Sequence, residues 1–176
     1  MYIKQIELEN FKCFKNIVIP FRPGLTVISG SKGVGKSSIL DSINFIYGKL
    51  ENDLILFNSD KLKLKVKMIF DGNNTIEKIL EKDLYTNIKI LYYLNEQHVS
   101  EKEVYNFLKE LHLTIIDDCD INLSKKECVK LAKELKTKSK NEQIFVVAYK
   151  EEILTAADQL LSVISYEKLS GVKLRK

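Results

Sequence analysis

VISGSKGVGKSSILDS, residues 27–42, decides how this chain is read. Residues 30–37 have the spacing glycine, four residues, Gly-Lys-Ser. Glycines reach backbone angles closed to other residues, so successive amides turn into one concavity that suits phosphate oxygens. The expected phosphate contacts are Gly30, Ser31, Lys32, Gly33, Val34, Gly35, Lys36, Ser37 and Ser38. Lys36 reaches the β- and γ-phosphates, and the Ser37 hydroxyl is a Mg²⁺ ligand. The helix that follows adds the partial positive charge of its N-terminus. The flanks fit: Leu25–Ser29 is an apolar, β-branched run of strand length, and Ile39, Ile43, Ile46 and Tyr47 recur at helical spacing. Strand, loop and helix in that order predict a phosphate-binding loop.

Outward from the loop, 176 residues with 45% hydrophobic content make one domain with a real core. No apolar stretch approaches the ~20 residues that span a bilayer, so no membrane partner is expected. Met1–Glu7 runs straight into a strand pattern and does not read as a signal peptide. Cys13, Cys119 and Cys128 are odd in number and scattered, which fits a reducing, cytoplasmic location. Net charge is +4, so the chain as a whole is only mildly basic.

Residues 4–9 and 16–21 read as a hairpin ahead of the Leu25–Ser29 strand. Lys61–Phe70 alternates strictly, with lysines at 61, 63, 65 and 67 opposite Leu62, Leu64, Val66 and Met68. That predicts a half-buried antiparallel strand, followed by two more at 75–82 and 88–94. A lysine row of this kind either tracks a nucleic-acid backbone or is the solvated face of a sheet; few arginines and no interleaved aromatics favour the second. Ser100/Glu103 and Ser124/Glu127 are capping boxes that open two helices. Strands follow at 112–116 and 144–149, then a helix at 151–161 and a last strand pair at 162–165 and 172–174. The order predicts an α/β fold: a P-loop NTPase core with an antiparallel β-meander lobe.

A phosphate-binding loop needs a carboxylate that holds Mg²⁺. Leu113-Thr-Ile-Ile-Asp117 is an apolar strand ending in Asp, with Asp118 next and Asp120 two residues on. Adjacent carboxylates repel, and a nearby cation offsets that cost.

These segments together resemble a known family. IKQIELENFKCF (3–14), the loop itself, DLILFNSDKLKLKVKMIFDGNN (53–74), YYLNEQHVSEKEVYNFL (92–108), LTIIDDCDINLS (113–124) and QIFVVAYKEEILTAADQLLSVI (143–164) are similar to pieces of SMC head domains, in the same order. These are ABC-type ATPase heads related to RecF and RecN. The resemblance implies one head domain over residues 1–176, with an N-terminal lobe at 1–112 and a C-terminal lobe at 113–176. It implies ATP and Mg²⁺ as cofactors, Lys12 and Cys13 as further nucleotide contacts, and Asp117 as a metal ligand beside Ser37. Asp118 stands where the catalytic glutamate is expected. Asp120, Asn122 and Leu123 fall in the loop that faces a second head, where Ile121 and Leu123 are apolar.

The departures are as informative. In the family a Q-loop, a long coiled coil and a signature motif separate the two lobes, whereas here Leu108–His112 runs straight into the Asp117 strand. The absence of a linker at that join favours a naturally short head over a truncated one. Leu169-Ser-Gly171 comes well after Asp117 and reads as a turn. Tyr149 replaces the family histidine, and Asp118 is shorter than glutamate by about 1.5 Å, a displacement that costs a base roughly 10²-fold. The expected function is an ATP-binding head in chromosome maintenance or DNA repair, with weak or partner-dependent hydrolysis and a second SMC-like head as partner. The alternative is a non-hydrolysing DNA- or partner-binding module whose nucleotide site is degenerate or structural.

Overall fold

The computed structural model describes residues 1–49, 63–82, 87–166 and 169–175. Strands β1 (Ile3–Phe11) and β2 (Phe14–Pro20) form the first hairpin. Strands β4 (Lys63–Phe70), β5 (Thr75–Lys82), β6 (Ile88–Leu94) and β7 (Gln97–Val99) extend it into an antiparallel sheet ordered β2-β1-β4-β5-β6-β7. Between them β3 (Leu25–Ser29) departs to a second sheet, with β8 (Leu113–Ile116), β9 (Gln143–Val147), β10 (Gln159–Tyr166) and β11 (Leu169–Arg175). Its order is β11-β10-β3-β9-β8, parallel from β10 to β8. Four α-helices lie among the described residues: α1 (Lys36–Ile46), α2 (Glu101–Leu108), α3 (Lys125–Lys138) and α4 (Glu151–Leu154).

The alternation in β4 sorts its faces as expected. Leu64, Val66, Met68 and Phe70 are fully buried, and the lysines point outward. Those lysines are matched by glutamates on both sides. Lys63 pairs with Glu81 at 3.0 Å, and Lys65 lies 3.7 Å from Glu9 and 3.9 Å from Glu77. Lys67 stands opposite Glu7 and Glu77. The face is a charge ladder, not a bare cationic stripe. Lys61 and Leu62 lie outside the described residues.

Period-two side-chain alternation gives the parallel sheet two cores. Phe145 and Val147 of β9 and Ile28 of β3 join the α1 and antiparallel-sheet core. Ile144 and Val146, with Leu25 and Val27, face Cys128, Ala132 and Leu135 of α3 and Ile153 of α4. Helix α1 is thus packed between the two sheets, with Ile39, Ile43 and Phe45 fully buried.

Two buried glutamines stitch the sheets together. Gln143 at the start of β9 accepts from the Ile3 N–H at 2.8 Å and donates to the Ile3 carbonyl at 2.9 Å and to the Arg22 carbonyl at 3.1 Å. Gln159 accepts from the Arg22 N–H and the Thr26 hydroxyl and donates to the Pro20 carbonyl. A third buried polar group, Lys78, points inward from β5. It is 2% exposed and donates to the Phe45 carbonyl in the last turn of α1 at 2.8 Å. Its ammonium also lies 4.2 Å from the Phe45 ring centre and 5.1 Å from that of Tyr92.

Three expectations change. The helix at 151–161 stops at Leu154, because the Asp158 N–H bonds the Leu25 carbonyl at 2.8 Å and starts parallel pairing with β3. Leu169–Gly171 is part of β11, in register with Ile164–Tyr166, rather than a turn. Strand β7 was not expected. It returns through Asn95–Glu96, both at positive φ (50° and 68°), a two-residue hairpin turn formed without the usual glycine.

Gln143→Leu leaves the two buried main-chain groups of Ile3 and the part-buried Arg22 carbonyl without this partner and is expected to lower stability by about 3 kcal/mol in a denaturant titration. Burial lowers the pKa of Lys78 to about 8, with the Glu101 charge opposing the shift. The native state therefore releases this proton near pH 8, whereas the unfolded chain keeps it to about 10.5. Lys78 then contributes stability that rises with pH across that window. The wild-type-minus-Lys78→Met stability difference should increase by ~2 kcal/mol from pH 8 to 10.5, allowing for solvent screening.

Candidate functional site

Parallel strands send their following loops to the same edge of a sheet. Strands β3, β9 and β8 are consecutive neighbours, so the loops after Ser29, Val147 and Ile116 meet at one edge. A cavity of about 700 Å³ opens there. One wall is Lys32, Gly33, Gly35, Lys36, Ser37 and Ser38. The opposite wall is Asp118, Asp120, Ile121, Tyr149 and Lys150.

The loop wall has the expected form. Gly35 is the N-cap of α1 at φ 101°, a left-handed position. Gly30, at φ 148°, has no room for a side chain: a Cβ there would sit 2.4 Å from the Val163 carbonyl oxygen of β10. Lys36 is 5% exposed. Its ammonium donates to the Gly30 carbonyl at 3.0 Å and the Ser31 carbonyl at 2.7 Å. It also lies 4.7 Å from the centre of the Tyr149 ring. Val34 packs into the main core rather than facing the cavity. Cys13 donates through its thiol to the Ser38 hydroxyl at 3.6 Å, so it braces the first turn of α1. Lys12 is in an ion pair with Asp41 of α1 at 2.5 Å.

The acidic wall differs more from the sequence reading. Asp117 is exposed and is not one of the residues lining the cavity. Asp118 lines it, at positive φ (49°), and accepts a hydrogen bond from the Tyr149 hydroxyl at 2.9 Å. Asp120 is fully buried. Its Oδ2 accepts from the backbone N–H groups of Tyr149 at 2.8 Å and Lys150 at 2.6 Å, while its Oδ1 has no partner among the described residues. The Lys150 ammonium in turn bonds the Leu123 carbonyl. Burial, reinforced by the Asp120 charge, raises the Cys119 pKa to about 12 and keeps it a thiol. Burial first, then the Asp118 hydrogen bond and the nearby aspartate charges, raises the Tyr149 pKa and keeps its hydroxyl a donor.

The two apolar residues of this loop part company. Leu123 packs against the α3 core, whereas Ile121 is 54% exposed at the cavity wall. The tie between Asp120 and residues 149–150 was hidden from the sequence, because it joins groups 29 and 30 positions apart.

The donor set fits a nucleotide with Mg²⁺. It offers a glycine-bounded amide concavity at a helix N-terminus, an ammonium, the Ser37 hydroxyl and a carboxylate. No three His, Cys, Asp or Glu side chains among the described residues converge as a metal site. A cation here would therefore rely on Ser37, a carboxylate and the phosphates themselves.

Comparison with known proteins agrees with this fold. The family model for the RecF/RecN/SMC N terminal domain matches residues 2–115. The chain is 30% identical over 128 residues to the chromosome partition protein Smc of Pyrococcus furiosus, covering 61% of this chain and 11% of that protein. It is 32% identical over 124 residues to the DNA repair protein RecN of Rickettsia typhi, covering 61% and 22%. It thus spans about a tenth to a fifth of the length of these relatives. An SMC head domain from Thermotoga maritima superposes with a TM-score of 0.84 at 19% identity over the full length of both chains. An Smc head bound to the C-winged helix domain of ScpA superposes at 0.89 and 16% identity, covering 100% of this chain and 98% of that one. At those identities the structures establish the fold.

Proposed function

The chain belongs to the RecF/RecN/SMC N-terminal domain family, and on that premise we propose that it binds a nucleoside triphosphate with Mg²⁺ as an SMC-like head in chromosome maintenance or DNA repair. The observation that carries this reading is the meeting of Lys36, Ser37 and Asp118 around one cavity at the edge of the parallel sheet. Residues 30–38 take the phosphates, and the Lys36 ammonium faces the β/γ oxygens. Ser37 holds the metal with Asp117 or Asp118, the choice resting on which carboxylate faces the cation. Lys12 and Cys13 support the loop from the β1–β2 turn. Residues 1–176 act as one head, with lobes 1–112 and 113–176.

Hydrolysis is proposed to be weak or dependent on a partner. Leu169–Gly171 is committed to strand pairing in β11 and is not a free loop ahead of a helix. It therefore does not offer a second nucleotide the contact that a signature motif provides. The general-base position holds the shorter Asp118, and the Tyr149 hydroxyl already occupies one of its oxygens. These same observations support the second reading, a partner-binding module with a structural nucleotide site. DNA binding receives little support from the lysine row, because glutamates face it. No helix among the described residues is long and apolar enough to cross a membrane, and the proposed setting is the cytoplasm, on the chromosome. An accessory protein resembling ScpA is a further candidate partner.

Lys36→Ala removes the charge that faces the β/γ-phosphates. Calorimetry should show micromolar-to-millimolar Mg-ATP or Mg-ADP binding to the wild type and none to this variant, with folding checked by circular dichroism. Equal binding by the two would remove the site assignment. Ile121 is the apolar side chain left exposed beside the cavity, and it supports a nucleotide-dependent contact with a second SMC-like head. Ile121→Asn, which adds no charge to the cavity wall, is expected to weaken Mg-ATP-dependent association in sedimentation by about tenfold, with nucleotide binding checked in parallel by calorimetry. Association that the substitution leaves unchanged places the contact elsewhere.

A further inference from the structure

Tyr149 leaves β9, and β9 lies between β3 and β8. The tyrosine therefore stands between the phosphate loop on one side and the Asp118 turn on the other. Its main chain is pinned: the Tyr149 and Lys150 N–H groups both donate to the fully buried Asp120. Its side chain is 42% exposed, bonded through its hydroxyl to Asp118, with its ring beside the Lys36 ammonium.

Lys36 has three N–H donors. Two go to the Gly30 and Ser31 carbonyls, and the Tyr149 ring flanks the same ammonium. One N–H is left for a phosphate oxygen, and an oxygen that takes it competes with the Tyr149 ring for the same ammonium. The carbonyls belong to a loop fixed by β3 and α1. The ring is the neighbour able to swing, about a backbone that Asp120 holds still.

We propose that Tyr149 is a latch across the phosphate-binding loop, its ring covering Lys36 and its hydroxyl holding Asp118, so that nucleotide binding requires the latch to open. This rests on the nucleotide-site reading above and adds to it a built-in control. Uncovering Lys36 swings the phenol away, so the phosphate loop and the Asp118 carboxylate are freed in one event. A cation over an exposed aromatic face is held weakly enough for phosphate to replace it. Tyr149 here is a positioning residue, acting through Lys36 and Asp118.

The test is calorimetric titration of Mg-ADP, which avoids turnover, into the wild type, Tyr149→Phe, Tyr149→Ala and Lys36→Ala. Tyr149→Phe keeps the ring but loses its anchor and should bind roughly threefold tighter; Tyr149→Ala uncovers Lys36 altogether and should bind roughly tenfold tighter. In the wild type, the ¹³C signal of the Tyr149 phenol carbon, assigned by its loss in Tyr149→Phe, should shift on adding Mg-ADP as the hydroxyl leaves its carboxylate acceptor. A merely structural tyrosine would move neither quantity in this direction. Equal or weaker binding by Tyr149→Phe, or a phenol signal that stays in place at saturation, overturns the latch. Where the wild type binds and Lys36→Ala does not, such a result refutes the latch alone and leaves the nucleotide site standing. No binding by the wild type overturns the nucleotide site and the latch together.

Discussion

The two sheets of this fold are made from interleaved stretches of chain, and their junction depends on one amide. Gln143 binds both the N–H and the carbonyl of Ile3, as a neighbouring strand would. Without it the first residues of β1 and the Arg22 carbonyl meet the start of β9 with unpaired polar groups. Leaving a buried backbone group unpaired costs more than the bond itself contributes. Gln159 does the same for Pro20 and Arg22 one strand pair away. The two glutamines bracket β3, the strand that delivers the phosphate loop, so the loop's origin is fixed from both sheets.

From that anchor the site follows by topology. β3, β9 and β8 run parallel and adjacent, and each contributes one wall, one bridge or one carboxylate at the same edge. Asp120 is the part that makes the edge rigid. It sits three residues beyond Asp117, yet it is wholly buried and caps the backbone after β9 instead of facing solvent. The acidic run therefore divides its labour: Asp117 outward, Asp118 to the cavity, Asp120 to the main chain. Asp120 also lines that wall, and its Oδ1 has no partner among the described residues.

Much of this was legible in the sequence. The strand and helix that flank the glycine-rich loop, the alternation of β4 and both capping boxes are local patterns, and each appears in the structure. Long-range competition was not legible. Residues 155–158 continue a helical pattern, but Asp158 takes Leu25 as partner and the helix ends at four residues. The Leu-Ser-Gly at 169–171 has turn composition and is nevertheless held in β11 by β10. The exposure of Ile121 and the burial of Leu123 also depend on α3, which a pattern of two apolar loop residues does not reveal. Asp118 and Tyr149 were both singled out by resemblance, but the bond between them is a matter of sheet order.

The charge ladder on the antiparallel sheet has a consequence for how that sheet finds its alignment. Glu7 and Glu9 face Lys67 and Lys65, and the pattern repeats every second residue. A displacement of β4 by two residues against β1 would again set lysine against glutamate, and would keep the apolar residues on the inner face. Complementary charge therefore selects which side faces water but is degenerate over the sliding coordinate. The alignments differ where the repeat is broken: at the Ile3–Phe70 end with its shift between Ile3 and Gln5, and at the other end, where Asn10 donates to the Lys63 carbonyl. Ile3 is also the residue that Gln143 grips. The Ile3 end of this ladder is thus tied to a residue 140 positions away in the chain.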